Sequence, residues 1–277
     1  MQELIRAKAI ELLETGKADR VLAWKTGEFF YDLTPAVFTS KEQIETELVY
    51  SLFSGANLSK YLVKESRKGG KVAAFLKPCD TYSFNQLLKE HRILRENVYV
   101  VGIACDGMCD IEKIRNAGAK GILSVTADGE TLKVETMYGD MTMNKADALA
   151  ERCLCCKSRK LVAYDEKIGE DGEVREDCGR FDMVAKLEAM TAEERFEFWR
   201  GELSKCIRCN ACRDVCPACT CEKCVFDNPK SGISQKAAVT SFEKTCTTSS
   251  GHSTWPHAAP TAASAAVSAP RISPCIC

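Results

Sequence analysis

The sequence predicts an α/β domain, a mixed and mostly parallel sheet with helices, followed by a small second domain built differently. Three observations carry this. Short apolar runs, Lys71-Val-Ala-Ala-Phe-Leu76, Val98-Tyr-Val-Val-Gly-Ile103 and Gly121-Ile-Leu-Ser-Val125, alternate with helical segments. Strands apolar on both faces are those of a parallel sheet covered on both sides. The stretch Asp165-Glu-Lys-Ile-Gly-Glu-Asp-Gly-Glu-Val-Arg-Glu-Asp177 is charged and without periodicity, as a linker would be. Beyond it, seven cysteines crowd between positions 206 and 224.

In chain order, residues 2–15 place Leu4, Ile5, Ala9, Leu12 and Leu13 on one helical face, with Gly16 as the stop. Residues 20–38 are strand-like, with alternation around Leu22, Trp24 and the pair Phe29-Phe30, broken at Thr26-Gly27. Ser40 with Gln43 three residues on is a capping-box pattern, opening a helix that runs through Ile44, Leu48 and Leu52 to Gly55. Another helix covers about 57–67 and ends at Gly69-Gly70. The strand at 71–76 stops at Lys77-Pro78-Cys79-Asp80, and a helix follows through Phe84, Leu87 and Leu88. The strand at 98–103 ends at Ala104-Cys105-Asp106-Gly107-Met108-Cys109, with a helix at about 110–117 before the strand at 121–125. An antiparallel pair around Asp128-Gly129 and a helix at about 143–151 lead to Cys153-Leu-Cys155-Cys156-Lys157. After the linker come a helix with Met183, Val184, Leu187 and Met190, then one capped by Thr191 and Glu194 whose Phe196, Trp199 and Leu203 point inward.

Composition narrows the function. At 277 residues with 45% apolar content, the chain can bury a substantial core. A formal net charge of −1 and a pI near 6.4 give no electrostatic footprint for nucleic acid or an anionic membrane. The longest apolar runs, such as 98–105, fall far short of the roughly 20 residues of a membrane span. The opening Met1-Gln-Glu-Leu-Ile-Arg6 is expected to be an amphipathic helix rather than a signal sequence. The 17 cysteines are therefore expected as reduced thiols in a cytoplasmic protein, held for metal rather than for disulfides.

Position then singles out particular thiols. Cys79 and Cys105 lie just past the carboxyl ends of consecutive predicted strands, the edge where open α/β sheets bind ligands. A lone cysteine at a strand end is ordinarily a small buried hydrophobe. Two on one rim, with the C-x2-C pair Cys153 and Cys156 able to fold over it, make a ligand set for metal. Cys109, Cys155 and Cys178 are spares, read as structural. The basic run Lys157, Arg159 and Lys160 reads as a solvated loop.

Lys77-Pro-Cys79-Asp80, Val101-Gly-Ile-Ala-Cys105-Asp-Gly107 and Cys153-x2-Cys156-Lys157, with Asp165 and Gly169 downstream, resemble the beta-subunit family of the deazaflavin (coenzyme F-420) hydrogenases and dehydrogenases, which includes formate dehydrogenase beta chains. The resemblance covers about 70–175. It implies an iron–sulfur cluster and a flavin, FAD, with electrons passed between a nucleotide-like coenzyme and a partner subunit. Carried over, it makes Cys79, Cys105, Cys153 and Cys156 cluster ligands, and Lys157 and Arg159 binders of the flavin phosphates.

The second domain carries a more specific signal. Cys206-Ile-Arg-Cys209-Asn-Ala-Cys212-Arg-Asp-Val-Cys216-Pro217 has the form C-x2-C-x2-C-x3-C-P, which wraps three thiolates round one cubane and sends the fourth to another cluster in two-cluster ferredoxins. It is similar to a bacterial ferredoxin half-site, so the domain is expected to be ferredoxin-like and to hold a 4Fe-4S cluster. Zinc knuckles are the alternative, but these usually come as two C-x2-C pairs with a long spacer. Cys219, Cys221 and Cys224 follow directly, and either cap this cluster or belong to a separate site.

Such a motif requires a partner 20 to 40 residues on, and the sequence turns instead to Thr, Ser, Ala and Pro from about Lys244. This composition cannot form a core and reads as a disordered tail. The codons allow a sharper reading. Alanine codons begin GC, so a one-base shift can read TGC, cysteine. Shifted residues 258–270 can then be written Arg-Cys-Thr-Asp-Cys-Gly-Glu-Cys-Ser-Arg-Val-Cys-Pro, with cysteines where Ala259, Ala262, Ala265 and Ala269 stand and the proline at Pro270. The tail is expected to be frameshifted from near Glu243 to Lys244, with the missing half-site in the neighbouring frame.

The organisation expected is an α/β domain over 1–164, a linker over 165–180, a helical lead-in and incomplete 4Fe-4S module over 181–243, and a tail over 244–277. The function expected is an electron-transfer subunit of a flavin and iron–sulfur oxidoreductase, such as a hydrogenase, formate dehydrogenase or heterodisulfide-reductase-like enzyme. Its partners would be other subunits of a redox complex, with no nucleic acid and no membrane insertion. The alternative is a zinc-stabilised, cysteine-rich interaction protein without redox activity.

Overall fold

The computed structural model describes residues 1–173, 179, 181–205, 211–217 and 219, with Cys212 and Arg213 described through their backbone alone. The chain divides into two compact units, 1–178 and 179–277.

In the first unit, α1 (Gln2–Glu14) buries Ile5, Ala9 and Leu12. Leu4 stands exposed instead, because the core-facing stripe follows the i, i+4, i+7 spacing of those three and Leu4 lies about 100° round the helix from Ile5. β1 (Arg20–Thr26) and β2 (Leu33–Phe38) form an antiparallel hairpin with Val21 opposite Phe38. Phe29 and Phe30, expected on a strand, fall in its loop, where Gly27 N–H donates to the Asp32 carbonyl and Asp32 N–H to that of Phe29.

The Ser40 cap forms as expected, its hydroxyl accepting from Gln43 N–H, but α2 spans only Lys41–Glu47 and stops well before Gly55. The backbone groups a longer helix would need are already committed. The Leu48 carbonyl accepts from Gln2 Nε2 and Arg6 Nε, each at 3.0 Å, and Val49 N–H donates to the Trp24 carbonyl. Residues 48–57 are therefore loop. The helix expected at 57–67 is a 3-10 turn at Ser59–Tyr61 running into α3 (Leu62–Glu65).

β3 (Val72–Leu76) is buried along its whole length and pairs in parallel with β1 and β4 (Val98–Ile103). Between them runs α4 (Pro78–Lys89), with Pro78 at its first position, where a missing N–H costs nothing. The crossover is the one expected for a parallel sheet. After β4 comes α5 (Ile111–Asn116).

Two segments depart from the expected course. Residues 121–125 do not continue the parallel sheet. β5 (Ile122–Asp128), β6 (Thr131–Thr136) and β7 (Met141–Asn144) make a separate three-stranded antiparallel sheet. Residues 122–128 pair with β6 across the Asp128-Gly129 turn, and the edge of β4 they would have joined is taken by Glu166–Ile168. The single helix expected at 143–151 is split into α6 (Lys145–Ala148) and α7 (Glu151–Leu154), since Leu149 is extended and bridges Cys109.

The fifth strand of the main sheet is β8 (Glu166–Ile168), parallel to β4, and the order is β2-β1-β3-β4-β8. It lies inside the stretch expected as linker. Asp165 anchors it: its N–H donates to the Val100 carbonyl at 2.8 Å, and its carboxylate accepts from Val100 N–H at 2.7 Å and pairs with Arg95. Three charged-flanked residues are too short to show a period of two.

In the second unit, α8 (Asp182–Glu188), α9 (Ala192–Ser204) and α10 (Ala211–Val215) are described. The Thr191–Glu194 capping box forms, with Glu194 N–H on the Thr191 hydroxyl and Thr191 N–H on the Glu194 carboxylate. Leu203 is buried, but Phe196, expected inward, is exposed and covered by the Arg200 guanidinium four residues on, 5.9 Å from its ring.

Candidate thiol and cofactor site

Two strand ends and one short helix build the site. Beyond β3, Lys77 precedes α4 and Cys79 lies in the first turn of that helix. Beyond β4, the chain runs through Cys105 to Cys109. Both segments leave the carboxyl ends of adjacent parallel strands, the ligand-binding edge of such sheets. α7 brings Cys153 to the second of them: Met108 N–H donates to Cys153 Sγ and Gly107 N–H to Cys105 Sγ, each at 3.4 Å. Met108, Leu149, Ala150 and Cys153 form a small buried cluster on which Tyr50, Cys105 and Leu154 pack. Gly107 is required here. It has φ 105°, and a Cβ on it would meet Leu149 Cδ2 at 2.8 Å.

The thiols share one electrostatic neighbourhood. Burial pushes Cys105 up to about 11, with Cys153 and Asp80 adding to the effect and the Gly107 N–H and Lys77 opposing it. Cys79 is exposed at its own surface, yet the crowding around it and the Asp80 carboxylate hold its thiol well above the usual range, against Lys77 and Arg152. Cys109 is likewise pushed to about 11, chiefly by burial. Tyr50 is raised by burial and by the neighbouring Cys105, Asp80 and Cys79. Without metal these groups are neutral.

Beneath the rim lies a polar cluster that the sequence reading missed. Lys77 is almost wholly buried, and its ammonium donates to the carbonyls of Ser54 at 2.9 Å and Ala56 at 2.8 Å, pairs with Asp80 at 3.1 Å and sits 4.4 Å from the Trp24 ring centre. Arg152, beside Cys153, donates to the Gly55 carbonyl at 2.8 Å. The signal was present: a Lys and an Asp three apart straddle Cys79 at a helix start.

The expected residues fare differently. Cys79, Cys105 and Cys153 are drawn to one rim. Cys155 and Cys156 are half-buried just past α7. Lys157 is exposed, whereas Arg159, two residues on, is buried and lines a cleft of about 260 Å³ with Asp106, Glu130, Lys145 and Leu149. Cys216 is buried, and Cys219 N–H donates to its carbonyl at 3.0 Å. Cys212 lies on α10. Cys206, Cys209, Cys221, Cys224 and the tail from Lys244 lie outside the described residues.

The donor chemistry suits a thiolate-ligated cluster: three soft sulfur donors on one rim, two already accepting a peptide N–H. Their spacing is open, since among the described residues no three Cys, His, Asp or Glu side chains form a group that could hold a metal ion. Arg159 also suits an anionic ligand. Among the described residues its Nε is buried without a hydrogen-bond partner, and its ion pair to Asp106 is long at 3.4 Å.

No family model matches the chain. Two curated relatives are similar to it, as the cysteine motifs led one to expect. The F420-dependent formate dehydrogenase 1 subunit beta of Methanococcus maripaludis is 25% identical over 276 residues, covering 78% of this chain and 71% of the relative. The F420-dependent formate dehydrogenase subunit beta of Methanocaldococcus jannaschii is 27% identical over 290 residues, covering 82% and 74%. Among solved structures, a chain of the xenon-derivatised F420-reducing NiFe hydrogenase complex from Methanosarcina barkeri matches with a TM-score of 0.46 at 17% identity, covering 55% of this chain and 58% of that one. No helix among the described residues is long and apolar enough to cross a membrane.

Proposed function

We propose that this chain is the electron-transfer iron–sulfur subunit of a flavin and iron–sulfur oxidoreductase complex, of the F420-dependent formate dehydrogenase type named for its relatives. The observation that supports this best is the convergence of Cys79, Cys105 and Cys153 on the carboxyl rim of the parallel sheet. With Cys156, these thiols are the ligands of a 4Fe-4S cluster. Burial holds the thiols of Cys79 and Cys105 above their usual range, so metal binding there releases protons. The Gly107 and Met108 N–H groups then stabilise negative charge on sulfur.

Arg159 is the binder of flavin phosphates, with Lys157 at the surface beside it. Bound FAD supplies the exchange between two-electron and one-electron chemistry, and the cluster moves single electrons. In the second unit, Cys206, Cys209, Cys212 and Cys216, with a thiol from among Cys219, Cys221 and Cys224, form the ferredoxin-like outlet toward a partner subunit.

Anaerobic purification of the full chain tests the reading. The expected product is brown, contains iron and acid-labile sulfide, and bleaches with dithionite. The pair Cys79→Ser with Cys105→Ser should lower iron and sulfide without removing the share held by the second unit. A colourless protein containing zinc overturns the proposal.

A further inference from the structure

The loop at 52–57 collects donors from every segment that carries a rim cysteine. The Leu52 carbonyl accepts the N–H of Cys109 at 2.8 Å. The carbonyls of Ser54 and Ala56 accept Lys77 Nζ, two residues before Cys79. The Gly55 carbonyl accepts Arg152 Nη2, one residue before Cys153. Ala56 also takes the Trp24 indole N–H at 3.2 Å. Asn57 Nδ2 donates to Ser83 Oγ at 3.1 Å, one turn along α4 from Cys79.

The loop is itself held in shape. Ser51 N–H donates to Ser54 Oγ, Ser54 N–H to the Ser51 carbonyl, and Phe53 N–H to Ser51 Oγ, while Ser54 is wholly buried. Three consecutive carbonyls thus point at two basic side chains, and each basic side chain neighbours a different thiol. Few arrangements give a cation a geometric reason to be buried. Carbonyl dipoles satisfy the donors of a buried cation and so fix its position.

We propose that the Ser54-Gly55-Ala56 carbonyls form a template and that Lys77 and Arg152 are positioning residues, which hold Cys79 and Cys153 in place beside Cys105 as one thiol centre. This rests on the reading of those cysteines as cluster ligands. Lys77 ties the start of α4 to the loop, and Arg152 ties α7 to the same loop. Arg152 also places a positive charge where thiolates gather negative charge, while that of Lys77 is balanced by Asp80 at 3.1 Å.

The test uses the full chain, anaerobic and reduced, reconstituted with iron and sulfide, with alkylation of each cysteine read by peptide mass spectrometry. In the wild type, Cys79, Cys105 and Cys153 become protected on reconstitution. In Arg152→Met, protection of Cys79 and Cys153 falls at least tenfold while the far-UV spectrum is unchanged, and Arg152→Lys restores it. The pair Lys77→Met with Asp80→Asn removes the other tie without stranding a buried charge, and lowers protection of Cys79 likewise. Protection in the wild type that persists unchanged in both folded variants overturns this proposal and leaves the cluster reading standing. A wild type with no protection at these three cysteines overturns both.

Discussion

The Lys77 ammonium and the Asp80 carboxylate face one another at 3.1 Å in the interior, each side chain no more than 2% exposed. Removing one partner strands the other as a buried charge, which costs roughly 3–5 kcal/mol, whereas replacing both by neutral groups of similar size is often close to neutral. Lys77→Met and Asp80→Asn alone should each lower the urea midpoint by that equivalent, and the double variant should recover most of it. Additive losses would show that the pair does not act as a unit.

Gly107 turns the chain beneath Leu149 at φ 105°. Gly107→Ala should cost about 1–3 kcal/mol from the backbone conformation alone, and combining it with Leu149→Ala should relieve only the steric share. A thermal midpoint equal to that of the wild type would show that the turn is not strained by a side chain.

Cys109 is buried, and burial raises its pKa from 9.0 to about 11. The unfolded chain therefore loses this proton first as pH rises. The thiol's contribution to stability is whole below about pH 9 and is lost progressively between pH 9 and 11, roughly 3 kcal/mol in all. Urea unfolding of the metal-free protein across that window should show the decline, and Cys109→Ala should remove its share of it, the rest remaining with Cys79, Cys105 and Tyr50.

Arg159 is buried in its cleft and Lys157 is exposed, so the two candidates for flavin phosphates separate. Losing a hydrogen bond to a charged group costs about 1.5–3 kcal/mol, or roughly tenfold in affinity or more. Arg159→Met should weaken FAD binding by at least that factor in a fluorescence titration, and Lys157→Met by far less. Equal effects would move the phosphates out of the cleft.

The coding DNA bears on the tail. At Ala259, Ala262, Ala265 and Ala269, the base preceding each GC should be T. Any other base at those four positions rules out a second cysteine half-site in the neighbouring frame.

The sequence by itself determined the α/β class, the strands at 72–76 and 98–103, and the rim where Cys79 and Cys105 stand, because apolar runs and the breaks that end them are local signals. It could not show β8, whose three residues become a strand only through hydrogen bonds supplied by β4. Nor could it show that α2 ends at Glu47, since Ile44, Leu48 and Leu52 keep helical spacing.

That early ending is what tertiary structure decided. Donors from α1 capture the Leu48 carbonyl, the Trp24 carbonyl on β1 takes the Val49 N–H, the next residues run as loop, and the freed carbonyls of Ser54, Gly55 and Ala56 take Lys77 and Arg152. Periodicity records what a segment prefers alone. Which backbone groups remain available is settled only when distant segments claim them.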